Sequence, residues 1–119
     1  MEELEVETAS RDRLQLWIAF DYGGRGELAE AAKRIVQADL QPEEIDEGVL
    51  AANLYAPDLP EPDLLIRTSG ELRISNFLLW QLAYSELVFT ERLWPDFGVE
   101  DLRAAVQEYA GRKRRFGAR

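Results

Sequence analysis

The sequence contains no cysteine and no histidine, so neither a disulfide framework nor a Cys- or His-ligated zinc site can be built from it. Any metal must sit on oxygen ligands. No apolar run is long enough to cross a bilayer, and the first residues are acidic (Glu2, Glu3, Glu5, Glu7) where a secretory leader would be basic. A folded cytoplasmic protein without a transmembrane segment is expected. Positive charge is also scarce. Against 23 acidic residues stand 14 basic ones, and the net charge of −9 repels polyanions over most of the surface, which disfavours nucleic-acid binding. The exception is the stretch 112–119, where Arg112, Lys113, Arg114, Arg115 and Arg119 gather. The bland reading of this local positive patch is a solvated helix end that complements the helix dipole.

What remains is ordinary for a soluble globular chain: 46% apolar and 31% charged residues over 119 positions suit one compact domain. Residues 1–10 read as a disordered or extended lead-in and 11–119 as the domain. Leu14, Leu16, Ile18 and Phe20 fall at every second position with Trp17 and Ala19 between them, which predicts a strand buried on both faces. From Glu27, the spacing of Leu28, Ala31, Ala32, Ile35 and Val36 predicts an amphipathic helix. A second helix is expected after Pro42, with Ile45, Val49 and Ala52 on one stripe. Asp63–Thr68 reads as a central parallel strand, Ser75 as the cap of a buried helix over Phe77–Ala83, and Leu87–Phe89 as a further strand. Val99, Leu102, Val106 and Tyr109 define a last helix. Strands alternating with helices indicate an α/β fold with a mainly parallel sheet flanked by helices.

Ligands of parallel sheets gather at the carboxyl ends of the strands. There the sequence reads Arg67-Thr68-Ser69-Gly70-Glu71-Leu72-Arg73-Ile74-Ser75-Asn76. Two arginines bracketing a glycine turn suit a phosphate or diphosphate, because guanidinium groups bind such oxyanions with paired N–H donors. The bland alternative pairs Arg67 with Glu71 or Asp63 as a structural salt bridge. Glu86 lies in the apolar run Leu82–Val88, where a charge needs a cationic partner or a metal. Were the buried helix to continue that far, Ser75 and Glu86 would stand about 16 Å apart. One ligand on one chain would hardly reach both. Tyr22-Gly23-Gly24-Arg25 lacks the spacing of a dinucleotide or P-loop motif, and reads better as a turn that allows close packing.

Taken together, Ile18–Arg25, Pro62–Glu71, Arg73–Gln81, Trp94–Phe97 and Arg114–Gly117 closely resemble the cis-prenyltransferases of the undecaprenyl diphosphate synthase family, specifically their C-terminal part. The resemblance implies the C-terminal half of that fold. It also implies an enzyme that uses Mg²⁺ to condense isopentenyl diphosphate with an allylic diphosphate. On the matching positions it implies that Arg67, Arg73 and Ser75 hold the diphosphate of isopentenyl diphosphate, with Ile74 contributing backbone. Glu86 matches an acidic metal ligand. Arg115 and Gly117 match an Arg-x-Gly element that reaches the partner's site in a homodimer, and residues 77–89 match the dimer interface. Peripheral membrane association would come only through the lipid product.

The family's strand and loop reading approximately His-x-Ala-x-x-Met-Asp-Gly-Asn-Gly-Arg-Trp-Ala, with its metal-anchoring Asp, has no counterpart here, so no catalytic residue is assigned in this chain. Asp21 replaces a usual Asn, and Leu72 stands where many members have a polar residue. The alternative reading is therefore a non-catalytic partner subunit or an inactive truncated fragment, and the chain alone is expected to be inactive.

Overall fold

Apolar, β-prone residues following Pro60 and Pro62 favour an extended chain at Leu64–Ile66, and the structure, a computed structural model that describes residues 2–112, places strand β1 there (Leu64–Arg67). It pairs in parallel with β2 (Glu86–Phe89), Leu64 lying opposite Glu86 and Arg67 opposite Phe89. The ladder extends one bond beyond each end: the Glu86 N–H donates to the Asp63 carbonyl (3.0 Å) and the Thr90 N–H to the Arg67 carbonyl (2.9 Å). Around this two-stranded sheet lie the helices α1 (Glu2–Thr8), α2 (Gly24–Gln37), α3 (Glu47–Ala52) and α4 (Val99–Gly111). Helix α4 packs on β2, and α2 packs on α3. The arrangement is α/β with a parallel sheet, as expected.

Helix α2 buries Gly24, Glu27, Ala31 and Ile35, a stripe at three- and four-residue spacing. Val36 and Ala32, expected on that stripe, face solvent instead. After Pro42 the chain forms only a short 3-10 turn (Pro42–Glu44), and a new helix then starts at Glu47. Asp46 causes the restart: its carboxylate accepts the Val49 N–H at 2.8 Å and caps α3. Where a disordered or extended lead-in was expected, Glu2–Thr8 is helical.

Two expected elements are absent from the described residues. Leu14–Phe20 forms no strand, and Leu14, Leu16, Ile18 and Phe20 are all strongly exposed. A strand exists only when its backbone groups find a ladder partner, and β1 and β2 pair with each other alone. The helix expected over Phe77–Ala83 is replaced by consecutive turns. Ser75, Asn76 and Leu78 take left-handed φ angles of 49°, 66° and 44°, which a right-handed helix cannot include. Helix α4 forms as expected, yet Val99, Leu102 and Val106 stay exposed and Ala105 is its buried residue.

The start of α2 is where the chain packs most closely. A Cβ on Gly24 would stand 2.7 Å from Leu79 Cγ and 3.1 Å from the Leu79 amide nitrogen, so only glycine permits this approach. At Gly26, two residues on, nothing lies within 4 Å. Gly24→Ala should therefore destabilise the fold by about 1–3 kcal/mol through overpacking, while Gly26→Ala should be neutral or stabilise it by up to about 1 kcal/mol through helix propensity. Urea unfolding of the two variants checks the contrast, and equal effects would contradict this packing.

Candidate functional site

The first turns of a helix leave backbone N–H groups without partners, and Gly23, at the N-cap of α2, has no side chain to supply one. The partner comes from across the fold. Asn76 accepts the Gly24 N–H on its carbonyl (2.8 Å) and the Arg25 N–H on its side-chain Oδ1 (2.9 Å). The glycine pair thus serves close packing, as expected, but against the loop of Asn76 and Leu79 rather than against the sheet.

Beside that junction lies Glu27, 1% exposed. Its carboxylate accepts hydrogen bonds from the Tyr22 hydroxyl, from the Tyr55 backbone N–H (3.1 Å) and from Gln81 Nε2 (3.2 Å to each oxygen). All three donors are neutral. Tyr22 also packs edge-on against Tyr55 and Phe77, with ring centroids 6.3 and 5.7 Å apart. Sequence reasoning missed this knot, although two signals were present. Glu27 sits four residues before Ala31 on the buried stripe, and Gln81 is polar within the apolar run Phe77–Ala83.

The knot holds one side of a loop whose other side begins at the carboxyl end of β1. The Ser69 N–H donates to the Arg92 carbonyl (2.8 Å) and the Gly70 N–H to the Thr90 carbonyl (2.9 Å). The turn after β1 is thereby laced to the turn after β2. Ser69 and Gly70 are both left-handed, with φ of 72° and 69°, so left-handed backbone recurs along 69–78. Strain of this kind persists where surrounding contacts impose it and is common at ligand sites. An open cleft of about 420 Å³ lined by Thr90, Glu91, Arg92, Leu93 and Asp96 adjoins this end of the sheet.

Arg67, Arg73, Ile74 and Ser75 all belong to this strand end and loop. Arg67, the last residue of β1, has its Nε shut off from solvent with no hydrogen-bond partner among the described residues. Of its two suggested structural partners, Glu71 and Asp63, Glu71 instead pairs with Arg73 (2.6 Å). That hydrogen bond, and then the Arg73 charge, hold the Glu71 carboxyl below its usual range, with the Arg67 charge adding least. The Arg73 side chain remains 74% exposed despite the pair. Ile74 is half-buried, and its carbonyl accepts the Phe77 N–H (3.0 Å). Ser75 is exposed and caps no helix.

Glu86 is not brought to these residues. It opens β2 opposite Leu64, so the register puts it at the other end of the sheet, about 10 Å away at roughly 3.3 Å per residue. There Arg112 Nη1 donates to Glu86 Oε2 at 2.7 Å, and the same guanidinium pairs with Glu108. A buried Arg–Glu pair was the alternative to metal binding; the pair is present but only partly buried, with side chains 33% and 27% exposed. Among the described residues no three acidic side chains cluster to hold a metal. Magnesium takes one or two carboxylates plus substrate phosphates, and Glu86 within one chain does not fit an ion shared with a diphosphate on Arg67. Arg115 and Gly117 lie outside the described residues.

Burial first, then the hydrogen bond to Glu27 and its charge, raise the Tyr22 phenol above its ordinary value, against an opposing backbone bond at Leu78. The folded state holds that proton more tightly than the unfolded chain. This contribution is therefore complete below pH about 10 and is lost as the pH rises further. Tyr22→Phe should cost about 1.5–3 kcal/mol at neutral pH and should remove that share of the alkaline decline. Unchanged urea midpoints at both pH values would contradict the network.

Comparison with known proteins identifies the family. Residues 1–117 match the prenyltransferase family model described as "Putative undecaprenyl diphosphate synthase". The chain is similar to a (2E,6E)-farnesyl-diphosphate-specific ditrans,polycis-undecaprenyl-diphosphate synthase of Xanthomonas axonopodis pv. citri, 55% identical over 95% of this chain and 46% of that protein. It is also similar to an isoprenyl transferase of Thermotoga maritima, 50% identical over 98% of this chain and 51% of that protein. Among solved structures, lavandulyl diphosphate synthase from Lavandula x intermedia, in complex with dimethylallyl diphosphate, superposes with a TM-score of 0.91 at 38% identity, over 98% of this chain and 52% of that one. The chain thus spans about half the length of the curated relatives it matches. With the parallel strand pair, the arginine-bearing loop at its carboxyl end and these matches together, the chain belongs to the undecaprenyl diphosphate synthase family of prenyltransferases.

Proposed function

We propose that this chain carries the isopentenyl diphosphate site of a cis-prenyltransferase, which condenses isopentenyl diphosphate with an allylic diphosphate. The observation that carries the reading is the loop after β1. It follows a guanidinium, that of Arg67 at the end of β1, whose Nε has no partner among the described residues, and it carries a second, solvent-open guanidinium, that of Arg73, between left-handed turns. Arg67 and Arg73 donate N–H groups to the diphosphate oxygens, Ser75 adds its hydroxyl and Ile74 its backbone. Their contribution is orientation: the headgroup is fixed so that the alkene faces the allylic carbon as its diphosphate departs, which makes an encounter of two molecules effectively intramolecular.

The relatives are about twice as long as this chain, and the allylic diphosphate belongs to the part of the family fold beyond it. In this reading the active assembly is a cytoplasmic homodimer, meets the membrane only through its lipid product, and receives Arg115 and Gly117 from the neighbouring subunit. Among the described residues no helix is long and apolar enough to cross a membrane. Magnesium and Glu86 enter the reading only across a subunit boundary, since within the chain Glu86 is held by Arg112.

Calorimetric titration with isopentenyl diphosphate tests the site. Arg67→Ala and Arg73→Ala should each lose about 1.5–3 kcal/mol of affinity, the worth of a charge-assisted hydrogen bond. Unchanged affinity in both would contradict the assignment. Light scattering of the same samples at micromolar concentration should report a dimer, and a monomer would contradict the homodimer.

A further inference from the structure

The diphosphate loop is held from behind by a charge that takes no part in binding. Glu27 projects from the first turns of α2, far in sequence from Ser75, yet its carboxylate is the common acceptor for segments at 22, 55 and 81. A carboxylate accepts hydrogen bonds and donates none. Buried among neutral donors, it makes each donor costly to withdraw, because a lost partner leaves charge unsolvated. Two of those donors, Tyr22 and Gln81, touch or adjoin the strained loop. Tyr22 packs on Phe77, and Gln81, 5% exposed, follows the left-handed residues Ser75, Asn76 and Leu78. Asn76 ties the same loop to the start of α2. The left-handed backbone of residues 75–78 has its tertiary anchors on the helix that carries Glu27.

We propose that Glu27 is a positioning residue for the diphosphate site: through Gln81 and Tyr22 its buried carboxylate holds the loop 73–81 in the conformation that presents Arg73 and Ser75. This deepens the reading given under Proposed function and rests on it for the identity of the ligand. A merely structural role would make substitutions at Glu27 lower global stability and move nothing else. A positioning role predicts a local change, confined to the loop and passed on to the anion.

The experiment uses the 119-residue chain and two readouts. The first is amide hydrogen exchange over residues 73–81, with β1 and β2 as internal references. The second is calorimetry with isopentenyl diphosphate and with inorganic diphosphate. Gln81→Glu sets two carboxylates against each other and should speed loop exchange and weaken binding, each by about tenfold or more, for the loss of a charge-assisted bond. The double variant Glu27→Gln/Gln81→Glu restores one donor facing one carboxylate and should recover both. Gln81→Met removes the donor without adding charge. It should shift both readouts in the same direction by less, and serves if Gln81→Glu fails to fold. Loop exchange unchanged relative to the strands in a folded Gln81→Met variant overturns the proposal, as does a double variant no better than Gln81→Glu. Should the native chain bind neither diphosphate, the reading of the ligand site falls, and the exchange data alone then decide for or against the clamp.

Discussion

A buried carboxylate whose hydrogen-bond donors among the described residues are all neutral sets the terms for the rest of this chain. Glu27 can be kept out of water only if neutral donors surround it, so Tyr22, the Tyr55 backbone and Gln81 must converge on α2. Convergence brings the loop after Asn76 so close to the start of the helix that Gly24 has no room for a Cβ. With Gly23 unable to cap α2, Asn76 supplies the missing acceptors. The left-handed turn at Leu78 follows from these attachments rather than from any local preference, since leucine gains nothing from such a conformation.

The parallel register then divides the charges between two ends of a very short sheet. At the carboxyl end stand Arg67 and, on the loop after it, Arg73, the two guanidinium groups proposed to hold the diphosphate in a strongly acidic protein. At the amino end, Glu86 and Glu108 share the Arg112 guanidinium. The two ends are separated by the length of a four-residue strand, so a diphosphate at one does not reach the acid at the other.

Local punctuation was legible in the sequence, and long-range partnership was not. The strands at Leu64–Arg67 and Glu86–Phe89 and the helices at Gly24–Gln37 and Val99–Gly111 could be read from apolar spacing and from proline and glycine breaks. The arginine loop was recognisable because a glycine turn between two guanidinium groups is a chemical pattern as well as a structural one. Leu14–Phe20 misled because a pattern for burial on both faces reports what the segment is fit to pair with. No described segment of this chain supplies that partner. Residues 77–83 misled for a related reason: helical propensity lost to the tertiary attachments of Asn76 and Gln81, which lie more than fifty positions from the residues they serve. Glu27 entered the sequence reading only as the point from which the helical spacing runs, and only the fold shows that it faces inward.

If Arg67 and the loop after it hold one diphosphate, as proposed, the Arg67 Nε–H, which has no hydrogen-bond partner among the described residues, is the most direct reporter of it. In proton–nitrogen correlation spectra, titration with isopentenyl diphosphate should move the Arg67 side-chain resonance and the amides of Ser69 to Ser75 in one saturable step, leaving Glu86 and Arg112 in place. Shifts centred on the Glu86 and Arg112 end, or an Arg67 resonance indifferent to saturating ligand, would contradict the account.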